Sequence, residues 1–168
     1  MVIIGDSYSM GEPAETWVGP VAESLGWTDV VNLSSPGRGF VMSPRSCDFD
    51  PCGTFALSIP AIVEAEPDIV VTFGGTADGD YGLSEAASAY FDELRQELPE
   101  AELIAISPVT TADSADYWLT LHNQTIGAGV EDVDGTFINV GQPGLGDGEE
   151  LSPQGHAEIA QAIIEELS

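Results

Sequence analysis

Five short apolar runs alternate with amphipathic stretches along the chain, and that alternation leaves few folds open. The runs are Val2-Ile3-Ile4, Val30-Val31-Asn32-Leu33, Ile69-Val70-Val71-Thr72-Phe73, Leu103-Ile104-Ala105-Ile106 and Phe137-Ile138-Asn139-Val140. They are apolar on both faces, as strands of a buried parallel sheet must be. A parallel strand needs a crossover, and helical patterns fill the intervals, which predicts right-handed βαβ units and a three-layer αβα sandwich.

The helices read from their stripes and caps. Trp17, Val21 and Leu25 share one face, and Pro20 fits only if it lies in the first turn. A short helix is expected to start near Pro60, capped by Ser58. Ala87, Tyr90, Phe91, Leu94 and Leu98 form an apolar stripe that Pro99 ends. Asp113 or Ser114 would cap a helix carrying Tyr117, Trp118, Leu121 and Ile126. The last helix opens at Ser152-Pro153 and buries Ile159, Ala160, Ile163, Ile164 and Leu167. The 168 residues fit one domain spanning 1–168, and the long irregular stretch 34–54 is of a length that usually carries function.

Charge narrows the partners. The chain has 29 acidic residues against three basic ones, Arg38, Arg45 and Arg95, for a formal net charge of -26. Such a surface repels phosphate and anionic lipid, so neither nucleic acid nor membrane is an expected partner. It also keeps molecules apart, as adaptation to high salt or exposure on a large assembly would require. Cys47 and Cys52 are close enough in sequence to close a small disulfide loop, which suits an extracellular or particle-surface protein. No histidine lies near them, so zinc is unsupported. Met1 leads straight into the first apolar run with no cationic leader, and no apolar run approaches membrane-spanning length.

In open parallel sheets the chemistry sits just beyond the carboxyl ends of the strands. The segments there are Gly5-Asp6-Ser7, Asn32-Leu33-Ser34-Ser35-Pro36-Gly37, Gly74-Gly75-Thr76-Ala77-Asp78, and Asp147-Gly148-Glu149-Glu150 followed by Leu151-Ser152-Pro153-Gln154-Gly155-His156. In this order and spacing they resemble the four blocks of the SGNH/GDSL hydrolases, over nearly the whole chain. With the βαβ alternation, the resemblance implies a five-stranded parallel sheet in the flavodoxin-like order 2-1-3-4-5. It also implies a serine esterase or acylhydrolase that uses no cofactor. In that chemistry a serine attacks an ester carbonyl, a histidine takes the proton, and an aspartate three residues earlier orients the histidine. Ser7 matches the nucleophile, Gly37 the glycine of the oxyanion hole and Asp147 the orienting aspartate.

Two positions depart from the pattern. Ala77 stands where the family has the asparagine donor, and Glu150 stands where it has the histidine. His156 matches an ordinary helix position of the family, and His122 reads as a surface or half-buried residue. Losing an oxyanion donor costs roughly 10²–10³ in rate, and losing a triad base about 10⁶. The expectation is therefore a catalytically degenerate SGNH-like protein, a structural or surface component such as part of a phage virion, or a carbohydrate-binding module. Its partners would be other proteins of a large assembly, further copies of itself or a surface glycan, and its setting extracellular or on a virion. The alternative is an active acetylesterase with altered machinery. Asp78, Asp80, Asp147, Glu149 and Glu150 could converge as hard ligands for Ca²⁺ or Mg²⁺, but carboxylates are so abundant that chance clustering is the simpler reading and no metal ligand is assigned. The site is expected to gather Ser7, Gly37 and Asp147 in one cleft, with Glu150 near Ser7 and no histidine bonded to it.

Overall fold

A computed structural model describes residues 1–44, 51–79, 81–110, 117–143 and 150–168. Its strands are β1 (Val2–Gly5), β2 (Val31–Asn32), β3 (Ile69–Phe73), β4 (Glu102–Ile106) and β5 (Thr136–Ile138). Every pairing is parallel and the order is β2-β1-β3-β4-β5, the topology expected from the sequence. Val2 pairs with Val31 on one side and Val70 on the other, so β1 lies inside the sheet and β2 at its edge.

The helices are α1 (Val18–Leu25), α2 (Ile59–Glu64), α3 (Leu83–Glu97), α4 (Tyr117–Glu131) and α5 (Pro153–Leu167). Side chains alternate across the sheet and build a core on each face. Val2, Ile4, Val70, Leu103 and Ala105 pack with Phe91 and Leu94 of α3, Ile62 of α2 and Ile126 of α4. Ile3, Val71, Ile104 and Ile106 pack with Val21 of α1 and Ile159 and Ile163 of α5. Pro20 sits third in α1, inside the first turn, where its missing N–H costs nothing.

The structure corrects three local expectations. The second strand is only two residues long and both are exposed, Val31 at 43 %. An edge strand has a neighbour on one side only, and here its outer surface faces solvent. Ser58 precedes α2 but does not cap it; its hydroxyl accepts a hydrogen bond from the Arg38 guanidinium at 2.7 Å instead. His122 is buried at 2 % exposure, neither at the surface nor half-buried. Gly5 stays in β1, and a Cβ there would lie 2.7 Å from Phe73 O and 2.8 Å from Ser9 Oγ. Glycine is needed at this point for close approach. The expected caps Asp113 and Ser114 lie outside the described residues. Cys52 is disulfide-bonded, and Cys47 lies outside the described residues.

Candidate functional site

The Ser7 turn is set by its neighbours on both sides of the chain. Asp6 follows β1 and its carboxylate accepts the Tyr8 N–H at 3.0 Å, which starts a single 3₁₀ turn over Ser7–Ser9. Asn32, at the end of β2, donates from Nδ2 to Ser9 O at 2.7 Å and accepts from Ser34 N at 3.0 Å. The turn is thus tied to the neighbouring strand, and Ser7 itself is exposed at the carboxyl end of the sheet. Its hydroxyl makes no hydrogen bond among the described residues.

Gly37 follows Pro36 in the connection from β2, with φ +71°, a left-handed conformation that favours glycine. Two buried side chains hold this connection from opposite sides. Arg38, fully buried, donates to Leu33 O, Gly53 O, Thr54 O and Ser58 Oγ at 2.7–3.1 Å. Asp78, after β3, accepts the N–H groups of Phe40, Val41 and Met42 at 2.8–2.9 Å. Gly39 is glycine because a Cβ would meet the Asp78 carboxylate at 2.4 Å. Sequence reading singled out neither Arg38 nor Gly39. A lone arginine in so acidic a chain, next to a glycine-rich loop, was the only signal.

Beneath the Ser7 turn, Asp6 is buried and its pKa is raised from 3.8 to about 7. Loss of solvation is the main cause, and the nearby Asp78 carboxylate adds to it, while the Tyr8 N–H opposes. Asp78, with three donors, is the better satisfied of the two.

A cleft of about 830 Å³ opens beside the turn, lined among others by Ser7, Glu12, Glu15, Pro36, Glu150 and His156. Ser7 and Glu150 therefore face one space. His156 shares it, although its place in the motif marks it only as an ordinary helix position. No hydrogen bond joins His156 to Ser7 among the described residues. Gly37 and Ala77 are exposed and do not line this cleft. Asp147, Asp80 and Glu149 lie outside the described residues. His122 is elsewhere: its Nδ1–H donates to Gly75 O at 3.0 Å, and its ring packs edge-on against Trp118. Among the described residues no group of three or more carboxylate, histidine or cysteine side chains could hold a metal ion.

A three-layer parallel sandwich of order 2-1-3-4-5, with a serine turn after the first strand, is the fold of the SGNH/GDSL hydrolases, as the sequence motifs implied. Solved structures agree. A carbohydrate acetylesterase from Sinorhizobium meliloti superimposes with a TM-score of 0.74 at 18 % identity, over 99 % of this chain and 97 % of that one. The inhibitor-bound aryl esterase of M. smegmatis gives 0.77 at 15 % identity, over 99 % and 96 %. An acetylxylan esterase from Geobacillus stearothermophilus, as a catalytic mutant, gives 0.67 at 14 % identity, over 98 % and 92 %. No protein-family model and no curated protein matches the chain.

Proposed function

We propose that this chain uses the Ser7 cleft to bind an uncharged acyl ester, of the acetylated-saccharide class, and hydrolyses it only slowly. The observation that carries this reading is the cleft itself. Ser7 stands exposed in it, Glu150 lines it too and by motif register takes the place of the family's base, and nothing among the described residues is bonded to the Ser7 hydroxyl. A carboxylate is a weaker base toward a serine hydroxyl than an imidazole is. Ala77, at the asparagine position of the motif that the sequence resembles, has no side-chain donor to offer. Three carboxylates, Glu12, Glu15 and Glu150, line the cleft and disfavour an anionic ligand. The solved structures of the same fold include enzymes that act on acetylated carbohydrates, which supports the ligand class. The acidic surface suits an exposed, extracellular setting in which a surface glycan is the partner.

Two measurements test this. Titration calorimetry with an acetylated xylo-oligosaccharide is expected to show saturable binding. With 4-nitrophenyl acetate, turnover is expected to depend on Ser7, vanish in Ser7→Ala, and run at least about 10³ below the roughly 10 s⁻¹ of an ordinary enzyme. Absence of saccharide binding, or turnover at an ordinary enzyme's rate, overturns the reading.

A further inference from the structure

His156 lies in the first turn of α5, where its N–H bonds back to Ser152 O at 3.0 Å. The ring is half-buried and lines the cleft beside Ser7 and Glu150. Its two nitrogens are not equivalent. Nδ1 is shut off from solvent and has no hydrogen-bond partner among the described residues. A buried, unpaired N–H is rarer in proteins than a buried, unpaired acceptor. A neutral imidazole carries one hydrogen, on one nitrogen or the other. The cheaper tautomer here leaves the lone pair on the sealed Nδ1 and puts the hydrogen on Nε2. Protonating the ring would create the orphan N–H after all, and burial lowers the His156 pKa below its ordinary 6.5. The ring is therefore neutral at pH 7. With Nδ1 sealed, Nε2 is the ring nitrogen left to meet a molecule in the cleft that His156 lines.

We propose that His156 is a neutral hydrogen-bond donor of the ligand cleft, presenting Nε2–H to an acceptor oxygen, carbonyl or hydroxyl, of the bound molecule. This rests on the proposed function and extends it to a residue and a recognised group. The assignment complements the rest of the lining. Glu12, Glu15 and Glu150 as carboxylates can only accept, so a ligand rich in oxygen acceptors needs a donor from another side chain. It also fits slow hydrolysis, because an imidazole in this tautomer has no lone pair on its cleft side to take the Ser7 proton. His156 is thus a binding residue and not a replacement base.

The test combines spectroscopy on the wild-type protein with two variants. A long-range proton–nitrogen spectrum of ¹⁵N-histidine protein at pH 7 is expected to show His156 neutral with hydrogen on Nε2, and the Nε2 signal is expected to move when an acetylated xylo-oligosaccharide is added. His156→Phe should weaken saccharide binding roughly tenfold, the loss of one donor. His156→Gln, which keeps a side-chain N–H, should recover part of the affinity, and circular dichroism should show both variants folded. A hydrogen on Nδ1, a cationic ring at pH 7, an Nε2 signal that saturating saccharide leaves unmoved, or wild-type affinity in His156→Phe overturns the donor role while leaving the binding function standing. Absence of saccharide binding by the wild type overturns the proposed function, and this contact with it.

Discussion

Two buried carboxylates stand behind the Ser7 turn, and they differ in what they receive. Asp78 accepts three backbone N–H groups, whereas Asp6 accepts one, from Tyr8. Burial without compensation favours the neutral acid, so the Asp6 pKa rises from 3.8 to about 7. A group whose pKa is raised by folding binds its proton more tightly in the folded state. Its stabilising contribution is complete below pH 3.8 and is lost as the pH climbs through about 7. Asp6→Asn stays neutral and can still accept from Tyr8. The variant should therefore gain stability relative to wild type as the pH rises from 3.8 to about 7, and the difference should level off above that. Urea midpoints of both proteins across this range check the prediction; a difference that shrinks with rising pH would show that Asp6 is ionised at acid pH.

At the scale of elements, the site is built where strand ends meet helix starts. Among the described residues of the β2-to-α2 connection the regular structure is the 3₁₀ turn Phe55–Ser58, and Arg38 supplies bonds of the kind that a sheet or helix provides elsewhere. Its four hydrogen bonds go to three carbonyls and one hydroxyl, and its plane lies 5.5 Å over the Phe55 ring. Recruitment of Ser58 Oγ by this arginine is why the predicted cap of α2 is not formed. The predicted cap of α5 is formed: Ser152 Oγ accepts from Gly155 N at 3.0 Å, with Pro153 in the first helical position. This cap also fixes the turn that carries His156. Ser152→Ala should cost about 1 kcal/mol of stability, read from denaturant unfolding, and should weaken saccharide binding because the His156 turn frays. A variant that loses the stability but binds as wild type would uncouple the cap from the cleft.

Across the whole molecule, charge is the dominant long-range term. Arg38 and Arg95 offset little of the charge of the 29 acidic residues, and both hydrogen-bond to backbone carbonyls. Arg95 reaches Val133 O at 2.9 Å and Ala101 O at 2.7 Å, closing the ends of α3 and α4. A net charge of -26 then acts as self-repulsion, which screening relieves. The Debye length falls from about 30 Å at 0.01 M salt to about 3 Å at 1 M. The thermal midpoint should rise as sodium chloride is added at neutral pH. A midpoint that stays constant over that range would mean that the carboxylates are too far apart to repel.

The sequence by itself determined the architecture, because strand runs, helical stripes and caps are local patterns and βαβ units have one hand. The β3 and β4 runs, the α3 stripe that ends before Pro99 and the Ser152 cap were all legible for that reason. The four post-strand segments also singled out Ser7, which follows β1, and Glu150, which precedes α5. Tertiary structure decided what each polar side chain is for. Asp78 bonds across to residues 40–42, Arg38 spans 33 to 58, His122 is drawn inside by Gly75 O, and His156 turns into the Ser7 cleft. Three of these include contacts between groups 20 to 47 residues apart, and the fourth depends on which face α5 turns to the cleft. Periodicity tells that a residue is polar or half-buried; only the packed molecule tells what it meets.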